Sequence, residues 1–120
     1  MAVRALRGAT TVAADDGAEI DGATEELLRE LMARNGVSPA DIISIVFTAT
    51  PDLTARFPAV AARGLGLDNV ALLCATEMAV PGAPERCIRV LVHLETDRDY
   101  GSLRHVYLRG ASALRTDLQQ

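Results

Sequence analysis

The sequence predicts an α+β fold in which a mixed β-sheet carries two helices on one face. Three observations predict it. Residues 86–96 alternate, with Ile88, Val90, Val92 and Leu94 on one face and Cys87, Arg89, Leu91, His93 and Glu95 on the other, the period of a strand with two different faces. Ile20, Ala23, Leu27, Leu31 and Arg34 fall at helical spacing, with Thr24 and Leu28 widening the apolar stripe. The segments then follow one another in the order β-α-β-α-β-β-β, which layers helices on one sheet.

Taken in order, the first strand covers residues 3–11, with Val3, Ala5 and Arg7 on one face and Arg4, Leu6 and Gly8 on the other. Asp15-Asp16-Gly17 is a turn signal, and either aspartate can cap the helix that follows. That helix ends near Asn35, where Gly36 supplies a left-handed stop. Gly22 makes its first turns the soft end, because glycine costs about 1 kcal/mol of helix propensity relative to alanine. Ser38-Pro39-Ala40-Asp41 reads as a short capped turn. Residues 42–50 are β-branched and apolar almost throughout, as in a buried central strand, and Pro51 stops them. A short Ala-rich helix is expected over 57–65, closed by Gly64 and Gly66, and strands over 70–75 and 103–108. Val80-Pro81-Gly82 is the turn between the third and fourth strands.

Two helices cannot cover both faces of such a sheet. The second face, expected to carry Leu72, Leu91 and Val46, must meet water or another subunit, and those side chains favour the subunit. No linker, internal repeat or low-complexity stretch interrupts the chain, so a single domain over 1–120 is expected.

Composition narrows the function. Of 120 residues, 49% are hydrophobic and 23% charged, which excludes intrinsic disorder. No apolar run approaches the roughly 20 residues of a membrane span, and the first eight residues show no signal-peptide pattern. A cytoplasmic protein is expected. A net charge of −4 argues against nucleic acid or an anionic membrane as main partner. With two Tyr, two Phe and no Trp, stacking on bases is not expected either. Cys74 and Cys87 have neither CxxC spacing nor a neighbouring His pair, so no zinc site is expected. All twelve basic residues are arginine, so every fixed side-chain cation is a planar fork suited to carboxylates.

Arg89 is the residue out of place. It sits between Ile88 and Val90, where a charge is expected only if it is paired or exposed. Three readings stay open from the pattern: a solvated side chain, an ion pair with Glu77 or Glu95, or a ligand contact. Arg7 poses the same question on the first strand. Two strand-borne arginines with a cysteine and Tyr107 nearby suggest a pocket for a small dianion.

Several strings carry a family resemblance: Arg7-Gly8-Ala9-Thr10-Thr11-Val12, Thr48-Ala49-Thr50-Pro51-Asp52-Leu53, Phe57-Pro58-Ala59, Cys74 with Glu77-Met78, Cys87-Ile88-Arg89-Val90 and Arg104-His105-Val106-Tyr107-Leu108. Together and in this order, from Val3 to Leu118, they resemble the monofunctional chorismate mutases of the Bacillus type. The resemblance implies a homotrimer built as a pseudo-α/β-barrel, with helices outside and active sites between adjacent subunits. It implies the Claisen rearrangement of chorismate to prephenate, on the route to phenylalanine and tyrosine, without cofactor or metal. Arg89 would donate to the ether oxygen and a carboxylate, Arg7 would bind a side-chain carboxylate, and Tyr107 would add a hydrogen bond to it. Glu77 would accept from the ring hydroxyl with Cys74 close by, and Leu73, Cys74, Ala75, Thr76 and Glu77 would wall the ring. Phe57, Ala59 and Arg63 would come from a neighbouring subunit, and Leu114 and Arg115 from a tail over the mouth. His93 and His105 are assigned to structure.

The chain departs from the family pattern at Val60, where relatives often carry Lys, and at Leu73, where Thr is common. The connection over 64–69 looks one residue short, and the chain ends two residues after Leu118. Two rivals remain at this point, a small trimeric imine deaminase and a non-catalytic metabolite-binding trimer. Cys74 with Glu77 argues against the first, and the full set Arg7, Glu77, Arg89 and Tyr107 against the second.

Overall fold

The computed structural model describes residues 1–113. Strand β1 runs over Ala2–Thr11 and leads into helix α1 over Gly17–Asn35. Asp16 caps this helix, its carboxylate accepting from the Glu19 N–H at 3.1 Å. Gly36 ends it at φ 62°, the left-handed conformation that spares only glycine a steric cost. A capped 3₁₀ turn, Pro39–Asp41, feeds β2 over Ile42–Ala49, and α2 is the five-residue helix Ala59–Arg63. Strands β3, Ala71–Thr76, and β4, Cys87–Thr96, follow, and β5 is only Val106–Tyr107.

The five strands form one sheet in the order β3-β2-β4-β1-β5. β4 runs antiparallel to β1 and β2, while the β2–β3 and β1–β5 pairs are parallel. Both helices pack on one face. Leu27, Leu28 and Leu31 of α1 and Ala62 of α2 meet Leu6, Ile45, Phe47, Val90, Val92 and Leu94 of the sheet. Gly8 permits this close approach, since a Cβ there would lie 2.9 Å from Leu31 Cδ1 and 3.1 Å from Leu27 Cδ1.

Three expectations need correction. The strand expected over 103–108 shrinks to two residues because Asn35, buried at the end of α1, takes the place of a strand partner. Its Oδ1 accepts from the Arg104 N–H at 2.7 Å, and its Nδ2 donates to the Arg104 carbonyl at 2.9 Å. The helix expected over 57–65 starts only at Ala59, leaving Phe57 before it and 71% exposed. Leu72 lies opposite Ile45 on the helix side; its neighbour Leu73, opposite Val46, occupies the uncovered face and is 63% exposed. The parity of β3 is therefore the reverse of the one expected. The uncovered face itself is present, and it carries Leu73, Val46 and Leu91 in one cross-strand row.

Gly36 offers a direct test of the helix stop. Gly36→Ala should lower stability by about 1 kcal/mol, the cost of a side chain in the left-handed region, read as an earlier midpoint in urea at unchanged m-value.

Candidate active site

Register assembles the site. Side chains of directly paired residues lie on the same face, and Thr48 pairs with Arg89, Arg89 with Ala9, and Ala9 with Tyr107. One row thus crosses four strands on the uncovered face. In the next row Val46 pairs with Leu91 and Leu91 with Arg7. These rows line a cleft of about 430 Å³ that contains Arg7, Thr48, Arg89, Leu91 and Tyr107.

Glu77 completes the cluster from one residue beyond β3. Its backbone N–H still donates to the Ala49 carbonyl at 2.9 Å, so the alternation of the strand carries through and Glu77 shares the parity of Leu73 and Ala75. Arg89 Nε donates to Glu77 Oε1 at 3.2 Å and Oε2 at 3.0 Å. The side chains of the pair are 29% and 16% exposed, enough shielding for the attraction to exceed that of a surface pair. Of the open readings of Arg89, the ion pair with Glu77 is the one formed, and it engages only the Nε edge of the guanidinium. Thr48 Oγ1 adds a third bond to the carboxylate, donating to Oε2 at 2.6 Å.

Cys87 begins β4 beneath this cluster and is fully buried. Burial pushes its thiol up from the ordinary 9.0 to about 11; the positive charge of Arg89 opposes the shift and the negative charge of Glu77 adds to it. Its backbone is pinned by Thr50, whose Oγ1 accepts from the Cys87 N–H at 3.0 Å. The loop after β2 is held by two carboxylates. Asp52 accepts from Thr50 Oγ1 and from the Arg86 N–H, and Asp15 from the N–H and hydroxyl of Thr54 and the N–H of Ala55. These bonds, led in each case by the threonine hydroxyl, hold both carboxyls below their usual range.

The structure divides the residues singled out from sequence into two groups. Arg7, Glu77, Arg89 and Tyr107 share the uncovered face, with Leu73 and Ala75 beside them. Cys74 has the opposite parity. It lies opposite Phe47, packs against the helix-side core, and lines a second cleft of about 610 Å³ with Phe57, Val60 and Thr76. Three positions along an extended chain reverse the face, so Cys74 and Glu77 do not converge within one chain. Ala59 and Arg63 sit on α2, also on the helix side. Leu114 and Arg115 lie outside the described residues.

His105, assigned to structure, holds backbone: its Nδ1 accepts from the Arg7 N–H at 2.9 Å. One contributor escaped the sequence reading. Thr48 stands inside a quoted string, yet nothing in one dimension marks its hydroxyl as facing Glu77, 29 residues away. No group of three or more His, Cys, Asp or Glu able to hold a metal occurs among the described residues. Among these residues no helix is long and apolar enough to cross a membrane.

The thiol shift has a sign that can be checked. The neutral Cys87 is the form the fold favours, so its contribution to stability is complete below about pH 9 and is lost as pH rises through about 11. At pH 8 iodoacetamide should leave Cys87 unmodified in the folded protein and alkylate it in urea, read by peptide mass spectrometry.

Residues 3–118 match the family Chorismate mutase type I. Chorismate mutase AroH of Thermus thermophilus is 48% identical over 118 residues, covering 98% of this chain and 97% of the relative. Chorismate mutase AroH of Bacillus subtilis is 43% identical over 119 residues, covering 98% and 94%. Among solved structures, a chorismate mutase from Clostridium thermocellum superposes with a TM-score of 0.89 at 51% identity, covering 90% of this chain and 96% of that one. These relatives give no support to an imine deaminase or to a non-catalytic metabolite-binding trimer. With the family match running over residues 3–118 and the fold shared with a solved relative, the chain belongs to the chorismate mutase type I family.

Proposed function

We propose that this chain rearranges chorismate to prephenate in the cleft around Arg89, in a cytoplasmic homotrimer whose sites lie between subunits. As a member of its family the chain is an isomerase. The observation that carries the site assignment is the Arg89–Glu77 pair, half-shielded on the uncovered face beside Arg7. A single domain over residues 1–120 supplies each subunit.

A Claisen rearrangement is intramolecular and pericyclic. One C–O bond breaks as one C–C bond forms, with no proton transferred and no covalent intermediate. Such a step needs the enolpyruvyl arm folded over the ring and the growing negative charge on the ether oxygen stabilised. A millionfold acceleration requires about 8 kcal/mol of differential binding in favour of the transition state. Arg89 meets the ether oxygen and a carboxylate with the Nη edge that Glu77 leaves unengaged. Arg7 and Tyr107 hold the carboxylate of the arm. Glu77 accepts from the ring hydroxyl while it orients Arg89.

The division of the site residues between two faces supports the intersubunit reading. Phe57, Ala59, Arg63, Cys74 and Thr76 on the helix side of one subunit close the cleft of the next, with Leu73 and Ala75 as the remaining wall. Covering Leu73 and Leu91 supplies part of the free energy of assembly.

Two measurements test this. Arg89→Ala should keep its fold and lower kcat by several powers of ten with a smaller change in KM, and Arg89→Lys should recover only part, because an ammonium lacks the fork. Turnover of chorismate by folded Arg89→Ala within about tenfold of the parent, about 1.4 kcal/mol, would remove Arg89 from the mechanism. Light scattering should give three copies per particle; an active monomer would overturn the shared site.

A further inference from the structure

Glu77 orients Arg89, and something must orient Glu77. The residue stands just past the end of β3, where the ladder has contributed its last bond, and its side chain has three torsions to fix. Thr48 does so from the neighbouring strand. Its hydroxyl donates at 2.6 Å to Oε2, the same oxygen that receives the shorter of the two Arg89 Nε bonds at 3.0 Å. Carboxylate, guanidinium and hydroxyl therefore form one chain of three side chains. Thr48 is in direct register with Arg89 and lines the cleft.

We infer that Thr48 is a positioning residue for the reaction, acting through Glu77 to hold the guanidinium of Arg89 where the transition state needs it. The inference rests on the reading of the cleft as the chorismate site. A preorganised donor stabilises developing charge only if it need not reorient as the charge appears. A carboxylate tethered on one side alone can swing and take Nε of Arg89 with it. The hydroxyl is a second tether, and because a carboxylate only accepts, the hydroxyl must donate. A β-branched residue is favoured at this strand position for shape alone, so shape and hydroxyl can be separated by substitution.

Thr48→Val keeps the shape and removes the donor; Thr48→Ser keeps the donor. With the parent melting temperature and oligomeric state retained, Thr48→Val should lower kcat about tenfold with KM within about twofold, the pattern of an interaction realised in the transition state. Thr48→Ser should recover most of that loss. In a Glu77→Gln background, adding Thr48→Val should cause little further loss, because both act through one pair. An active parent whose Thr48→Val variant stays within twofold in kcat overturns the inference and leaves the cleft assignment standing. So does a Ser variant as slow as the Val variant, or a full tenfold loss persisting beside Glu77→Gln. A parent that leaves chorismate unchanged overturns both. Should Thr48→Val fail to fold, Thr48→Ala is judged by the same criteria.

Discussion

A guanidinium in the middle of a β-strand must find an anion where it stands, because a strand gives its side chains little freedom to look elsewhere. Arg89 lies on the central strand of the sheet, flanked by Ile88 and Val90, both buried against the helices. Its own parity turns it to the uncovered face, and Glu77 meets it there. Much of the remaining architecture serves that meeting. The parallel β2–β3 pair carries the chain out to Glu77 at the correct height, and the antiparallel β2–β4 pair sets Thr48 opposite Arg89. β1 on the other side adds Arg7 one row away. Removing either partner of the ion pair strands the other charge in partial shielding, which is the costly way to alter such a pair.

For an isomerisation without proton transfer, rigidity of this kind is the main resource available to the protein. Catalytic power then resides in where charges are fixed before the substrate arrives. Strands suit that task better than loops. The cations stand on β1 and β4, in the middle of the hydrogen-bonded ladder, and the carboxylate that orients one of them is tied to the same ladder through its backbone. The one loop that brings an aromatic, Phe57, is fastened by Asp15 and Asp52 to elements on either side of it.

What could be read from the sequence depended on distance along the chain. The alternation in β4 and the stripe of α1 are local periodicities, and both faces of β4 came out as expected because every residue from Cys87 to Leu94 votes on the same phase. β3 is shorter and apolar on both sides, with Leu72 next to Leu73, so its phase had no local marker and was settled by pairing with β2. The same phase decides that Glu77 and Cys74 part company. The resemblance located the charged residues as a set, whereas the bonds of Thr48 to Glu77 and of His105 to Arg7 span 29 and 98 positions. β5 failed for a related reason: a buried asparagine at the end of a helix looks like a stop signal, and only the folded chain shows it standing in for a strand.

That asparagine ties together parts of the molecule that would otherwise loosen separately. The last turn of a helix is ordinarily the first to fray, and a two-residue edge strand is scarcely more secure. Here Asn35 bonds Arg104 through both ends of its amide and Leu31 through the helix, while the guanidinium of Arg98, from the turn after β4, bonds the Asn35 carbonyl and that of Ser102. Helix end, turn and edge strand thus share one set of bonds. Opening this corner becomes a single cooperative event, and Tyr107, on the edge strand, inherits its steadiness from a helix on the far side of the sheet.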